Sequence, residues 1–348
     1  MDKNNTQHIL IIRLSAMGDV AMLVPVLSYL EVEYPSIAIT LLTKPQFAPI
    51  FKSFLNIKII EADVKGKHKG VFGLYRLFKQ LKQLGITSVA DVHNVLRSSI
   101  LKFFFKSSKI PFVQIDKGRK EKKALIRIKN KDFKQLKTTH ERYADVFRKL
   151  GLKIDLSKVK QLAKSEFTSS IKAIIGEKKK KWIGIAPFAA HEGKMYPIPL
   201  MEQVIQQLEE KGEYTVLLFG GGVSEIEKLH TITQQTSIEL IVVAGKLSFE
   251  QELEVISNLD VMLSMDSGNG HLAANYNVPV VSLWGVTHPY AGFAPFAQPI
   301  ENAILSDRFT YPLIPTSIYG NKYPEGYGKV MDSILPERVV QKIIETLR

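Results

Sequence analysis

The chain has 348 residues, 45% hydrophobic and 23% charged, a globular composition too long for one ordinary core and so predicting two domains. It contains no Cys, which excludes disulfides, thiolate zinc sites and Cys nucleophiles and fits a reducing, cytoplasmic compartment. The net charge of +13 is uneven: residues 1 to 174 hold 33 Lys and Arg against 14 Asp and Glu, residues 175 to 348 hold 14 against 20, and the basic half calls for an anionic partner, whether nucleic acid, membrane surface or phosphorylated substrate.

The polar N-terminus leads into a strand and predicts no secretory signal, and apolar runs such as Ile9 to Ile12 are too short to span a bilayer. Period and composition predict strands at His8–Leu14, Ile37–Leu42, Ile57–Glu61, Ser88–Val92 and Phe112–Ile115. Helices are expected at Val20–Glu33, Gln46–Phe54, Val71–Leu84 and Arg142–Leu150. The second half repeats the alternation, with strands at Trp182–Ala186, Thr215–Phe219, Glu239–Val243, Val261–Ser264 and Val280–Leu283 and helices at Leu200–Lys211, Ser224–Gln235 and Phe249–Asn258. Strand–helix alternation means parallel sheets covered on both faces, so the expected fold is α/β, two Rossmann-like doubly wound domains facing a central cleft. The boundary is placed in the polar stretch Glu166 to Lys181, giving a basic domain of residues 1 to 170 and a second domain of residues 171 to 335. Residues 307 to 336 read as an irregular excursion rich in Gly, Pro and Tyr, and Pro336 opens a last helix expected to pack back on the first domain.

Six strand ends carry polar groups. After the first strand, Arg13-Leu14-Ser15-Ala16-Met17-Gly18-Asp19 puts a carboxylate at a helix start, either a cap or a general base able to take a proton from an attacking hydroxyl. The loop is neither a Walker loop nor a dinucleotide fingerprint. The stretch Asp91 to Arg97 supplies His93, Asn94 and Arg97, and Arg119, Lys120, Lys122 and Lys123 crowd a following loop. After strand Trp182–Ala186 comes an isolated Lys194, either a solvated lysine or a point charge for a diphosphate. His191 and Glu192 lack a second His at ligand spacing, so no metal is expected. Gly220-Gly221-Gly222 with Glu225, and Gly245 further on, permit close approach of a ribose or base, or simply turn the chain. Most telling is Asp266-Ser267-Gly268-Asn269-Gly270-His271, a strand–turn–helix junction that either aims backbone N–H groups at an anion or has Asp266 as a plain helix cap and the glycines as a plain turn. The stretch Lys65 to Lys82 interleaves cations with Val71, Phe72, Leu74, Tyr75, Leu77, Phe78 and Leu81; it suits either an anionic membrane or a helix burying its own stripe.

Together these motifs resemble the heptosyltransferase family that builds the inner core of bacterial lipopolysaccharide. Arg13 to Val20 is similar to its N-terminal signature, with Asp19 at the position of the proposed base. Met265 to Ala274 resembles its Asp-Ser/Thr-Gly…His-Leu motif, and Lys194 before Tyr196-Pro197 fits Lys-x-Trp-Pro with Tyr for Trp. The resemblance implies a metal-independent, inverting enzyme of GT-B type without a cofactor. It further implies ADP-L-glycero-D-manno-heptose as donor and an anionic, lipid-linked Kdo or heptose acceptor, with the enzyme peripheral at the inner face of the bacterial inner membrane. Asp19 and Lys194 would be catalytic. Asp266, Ser267, Gly268, Asn269, Gly270, His271, Gly220, Gly221, Glu225 and Gly245 would bind the donor. Ser15, Met17, Gly18, His93, Asn94, Arg97, Arg119, Lys120, Lys122 and Lys123 would bind the acceptor. The rival readings are a related transferase using another nucleotide sugar for a different glycan, and a basic nucleic-acid-binding protein, which no recognised module supports.

Overall fold

The computed structural model describes residues 7–235 and 240–348. The start of the chain before Gln7, and Glu239 of the expected strand Glu239–Val243, lie outside the described residues. The chain divides into two compact units, the first of residues 1–117 and 139–162, the second of residues 118–138 and 163–348.

The first unit is built on β1 (His8–Ile12), β2 (Ala38–Thr43), β3 (Ile57–Glu61), β4 (Ser88–Asp91) and β5 (Phe112–Gln114), all parallel, in the order β3-β2-β1-β4-β5. Strands buried on both faces read as continuous aliphatic runs, and Ile9, Leu10, Ile11 and Ile12 are all 0% exposed. The expected helix Val20–Glu33 is two helices, Met17–Ala21 and Val24–Glu33, the second carrying Pro25 in its first turn, where a missing N–H is tolerated. The expected helix Gln46–Phe54 is a 3₁₀ segment, Pro45–Phe51, because Pro49 cannot donate within it. Helix Leu96–Lys106, not foreseen, buries Leu101 and Phe105 against helix Gly70–Lys82.

The second unit carries β6 (Lys181–Ala186), β7 (Tyr214–Leu218), β8 (Ile241–Val242), β9 (Val261–Met265), β10 (Val280–Trp284) and β11 (Ala303–Leu305), parallel and ordered β11-β10-β9-β6-β7-β8. Three expectations about its limits are corrected. The C-terminal helix Pro336–Leu347 does not pack on the first unit: its Val339, Val340 and Ile343 join the core of the second, against helix Ile198–Glu209. The boundary falls between Leu162 and Ala163, not within Glu166 to Lys181, and that stretch instead carries a helix, Ser169–Ile175, that buries Ile171 and Ile175. Residues 118–138, read with the basic domain, pack on the second unit, because Leu125 and Leu136 are buried in one apolar cluster with Ala291 and Ile318.

Counted by unit, the charge contrast shrinks to 22 Lys and Arg against 11 Asp and Glu in the first and 25 against 23 in the second. Residues 118–138 alone carry nine cations and two acids, which accounts for most of the difference from the counts by halves.

Candidate active site

In an open parallel sheet, ligands bind beyond the carboxyl ends of the strands where the strand order reverses direction. In the first unit that point lies between β1 and β4, which pair with Ile12 opposite Asp91. Both polar loops of that unit leave from it. Arg13, just past β1 and 5% exposed, donates from one guanidinium nitrogen to Val92 O at 2.7 Å and ion-pairs through the other with Asp19 Oδ2. Its guanidinium lies 5.6 Å from the Tyr143 ring centre, and the Tyr143 hydroxyl donates to Asp19 O at 3.0 Å. Burial raises the Tyr143 phenol, which keeps it a donor. Asp19, with a third of its side chain exposed, is therefore held at both its carboxylate and its carbonyl yet open to a ligand.

The β4 loop is organised by Asp91, wholly buried, whose Oδ1 accepts the His93 and Asn94 N–H groups at 3.0 and 2.8 Å. Gln114 of β5 donates to Asp91 Oδ2 at 2.9 Å. This turn sends Asn94 to φ 47, an αL value that Asn tolerates, and aims the His93 ring toward Ser15, 3.5 Å away. Burial, followed by the charges of Arg13, Lys117, Lys44 and Arg97, pulls His93 down to about 3, so it is a neutral hydrogen-bonding group amid cations. Lys44 was not singled out from the sequence, and its place directly after β2 was the available signal; Lys117, three residues past β5, opens the cationic run Lys117 to Lys123 that the sequence does show.

In the second unit the order reverses between β6 and β9, paired with Ala186 opposite Ser264. Again the two loops of interest leave from this point. Lys194 closes a short 3₁₀ turn after β6, and Asp266 follows β9 directly. The Lys194 ammonium lies 2.8 Å from Asp266 Oδ2 and donates to Asp266 O at 3.1 Å, with the two side chains 15% and 5% exposed. Helix Gly268–Asn275 begins beside this pair, with Ser267 at its N-cap, and its first N–H groups have no partner within the helix. The Ser267 Oγ, buried, has no hydrogen-bond partner. Gly270 permits the close seating of this helix, since a Cβ there would come within 2.6 Å of Ser264 Oγ. After β7, Glu225 Oε2 accepts the Gly221 N–H at 2.7 Å, so the carboxylate braces the glycine turn. Gly245, after β8, has φ +74 and lies against Ile226. Among the described residues no group of three or more His, Cys, Asp or Glu is placed to hold a metal ion.

The sequence model of glycosyltransferase family 9 (heptosyltransferase) matches residues 74–309. The chain belongs to that family. A relative, the lipopolysaccharide core heptosyltransferase OpsX of Haemophilus influenzae, is 25% identical over 283 residues, 80% of this chain and 79% of that protein. The glycosyltransferase family 9 structure from Veillonella parvula shares the fold, with TM-score 0.77 and 20% identity over 100% of this chain and 98% of that one. So does E. coli heptosyltransferase WaaC, solved with ADP, with TM-score 0.65 and 18% identity over 98% of this chain and 100% of WaaC.

Within this family 9 glycosyltransferase the expected residues fall into three groups. Ser15, Asp19, His93, Asn94 and Arg97 gather at the strand ends of the first unit, with Met17 and Gly18 in the turn of helix Met17–Ala21. Lys194 and Asp266 to His271 gather at the strand ends of the second, with Gly220, Gly221, Glu225 and Gly245 on neighbouring loops. Arg119, Lys120, Lys122 and Lys123 stand on helix Arg119–Leu125 of the second unit, not of the first as expected. Lys122 is also buried, its ammonium 4.0 Å from the Phe293 ring centre.

The irregular excursion has a visible role in this family 9 enzyme. Gly320, at φ +80, lies against the Lys194 stem, where a Cβ would meet Cγ at 2.6 Å, and the Tyr323 ring lies over Gly193. Residues 320–323 thus back the loop that carries the lysine.

Proposed function

We propose that the chain is an inverting heptosyltransferase that moves heptose from ADP-L-glycero-D-manno-heptose to a Kdo or heptose hydroxyl of the lipopolysaccharide inner core. The observation that carries this reading is the Lys194–Asp266 pair beside the open N-terminus of helix Gly268–Asn275, a cation and unpartnered N–H groups converging where a diphosphate would sit. Family membership and the ADP in WaaC support the same donor. The Asp19 carboxylate takes the proton of the acceptor hydroxyl, the freed oxygen forms the bond to the anomeric carbon, and the bond from that carbon to the β-phosphate oxygen breaks. ADP leaves with the electron pair, its new charge met by Lys194, the Ser267 hydroxyl and the N–H groups of residues 268–270. A single displacement inverts the anomeric centre. Glu225 and the glycines after β7 and β8 serve the nucleoside. Lys44, Arg97 and Lys117 around neutral His93 receive the anionic acceptor, assisted by Arg119, Lys120 and Lys123.

The acceptor being lipid-linked, the enzyme works at the cytoplasmic face of the inner membrane as a peripheral protein. No helix among the described residues is long and apolar enough to cross a membrane. Incubation with ADP-heptose and a panel of truncated lipopolysaccharides, read by mass spectrometry, should show one added heptose on one member of the panel. Thermal stabilisation by a UDP- or GDP-sugar but not by ADP-heptose, with no mass added, would refute the assignment.

A further inference from the structure

Helices Gly70–Lys82 and Leu96–Lys106 lie side by side on the first unit. Leu74, Leu77, Phe78 and Leu81 of the first and Leu101 and Phe105 of the second are taken up by the core. That satisfies the burial reading of the amphipathic stretch for four of its seven apolar residues. Outside remain Val71, Phe72, Tyr75 and Phe103, at 55%, 90%, 43% and 73% exposure. The rings are linked across the two helices: Tyr75 meets Phe104 edge-on at 5.3 Å, and Phe104 meets Phe103 at 5.9 Å. Beside Phe103 a groove of about 480 Å³ runs to Pro111 and Phe112, edged by Lys102, Lys106 and Lys109.

The charge of this region is one-sided. Between residues 64 and 111 there are ten Lys and Arg, every one exposed, and a single acid. That acid is Asp91, 0% exposed and engaged by its own turn. A solvated helix face interleaves both signs, and a core-facing stripe is covered; this face is neither. Aromatic side chains standing out of a field of lysines, with the flanking Asp63 carboxylate engaged by the Gly66 and Lys67 N–H groups, match the interface of an anionic bilayer, where rings enter the headgroup boundary and ammonium groups meet lipid phosphates.

We propose that this face docks the enzyme on an anionic phospholipid bilayer, with Phe72 and Phe103 inserted and the lysines of both helices on the headgroups. The proposal deepens the functional reading above, which puts the acceptor in a membrane, but its chemistry is that of this surface alone. The test is co-sedimentation of the full chain with vesicles of phosphatidylcholine, or of equimolar phosphatidylcholine and phosphatidylglycerol. The wild type should bind the anionic vesicles, and salt should weaken binding. Lys79→Gln/Lys82→Gln/Lys106→Gln should lower affinity on the order of a hundredfold. Phe72→Ser/Phe103→Ser should lower it roughly tenfold while keeping full salt sensitivity. Phe72→Ser alone, at a side chain 90% exposed, separates lost docking from lost folding. All variants should keep wild-type turnover on a delipidated, soluble core acceptor.

Wild-type protein left in the supernatant with anionic vesicles would overturn the proposal. So would aromatic variants that bind like wild type, since the face would then be a bare polycation suited to nucleic acid or an acidic protein. Absence of wild-type turnover on the soluble acceptor would refute the functional reading instead, and the vesicle result would stand apart from it.

Discussion

Lys194 and Asp266 neutralise one another at the strand-order reversal of the second unit, ammonium to carboxylate oxygen at 2.8 Å, with both side chains largely withdrawn from water. The pair joins the loop after β6 to the loop after β9, so the lysine is held in place before any ligand arrives. A buried charge keeps its ionised form only with a partner, and removal of one member leaves the other at a cost. Lys194→Ala should therefore lower kcat about 10²- to 10³-fold through the lost leaving-group cation. It should also destabilise the fold by up to about 3 kcal/mol through the stranded carboxylate. Lys194→Ala/Asp266→Ala should recover part of the stability in denaturant melts and none of the activity; additive stability losses would show the pair uncoupled.

Asp19 is fixed by Arg13 at its carboxylate and by Tyr143 at its carbonyl. Asp19→Asn keeps the shape and removes the base, so transfer should fall at least about a hundredfold while ADP affinity, measured by calorimetry, stays as in wild type. Arg13→Lys should lower kcat with little change in the donor KM, because lysine cannot hold Val92 O and Asp19 with a planar fork. Unchanged turnover in Asp19→Asn would remove this residue from the chemistry.

Gly320→Ala tests the backing of the lysine loop. The residue sits at φ +80, where an L side chain is strained, and its Cβ would press on the Lys194 stem. A loss of about 1–2 kcal/mol in stability is expected, with a several-fold rise in donor KM. A donor KM equal to wild type would separate residues 320–323 from the donor site.

Stability should fall in acid. Burial, then neighbouring cations, holds His93 at about 3 and His288 at about 4 in the folded chain. Below pH 6.5 the unfolded chain takes up a proton at each ring that the folded chain refuses, so stability present above pH 6.5 is lost as pH drops toward those values. Each histidine should cost about 2 kcal/mol between pH 7 and pH 5. His288→Asn, which retains an acceptor for the Tyr290 N–H, should flatten that slope in urea melts.

Glu209 gives the opposite trend. Burial pushes its carboxyl up to about 7, and neither of its oxygens has a hydrogen-bond partner. The folded chain keeps a proton there that the unfolded chain has released above pH 4.5, so this contribution is lost as pH rises through 7. Glu209→Gln should gain about 1–2 kcal/mol at pH 8 and nothing at pH 4, readable in the same melts.

Much of the site was legible because it is local. A strand, a small-residue turn and a helix start lie within a dozen residues of one another, and both Asp19 and Asp266 to Gly270 were found by that pattern. Their partners were not. Nothing near Arg13 in the chain announces its hold on Val92, 79 positions away, and Lys194 reaches Asp266 across 72. Strand order creates these encounters, and strand order is not written in any one segment.

The alternation of apolar strands with amphipathic helices determined by itself the two parallel-sheet units and the loops that carry polar groups, since the period of burial within a segment reflects its own backbone geometry. Tertiary structure alone decided which unit owns a segment. Residues 118–138 and the C-terminal helix both followed their apolar side chains to the second unit, against their charge in one case and the expected return to the first unit in the other. Burial of Leu125, Leu136, Val339 and Ile343 removes apolar surface from water, whereas the cations of residues 118–138, mostly still in solvent, favour neither unit by much.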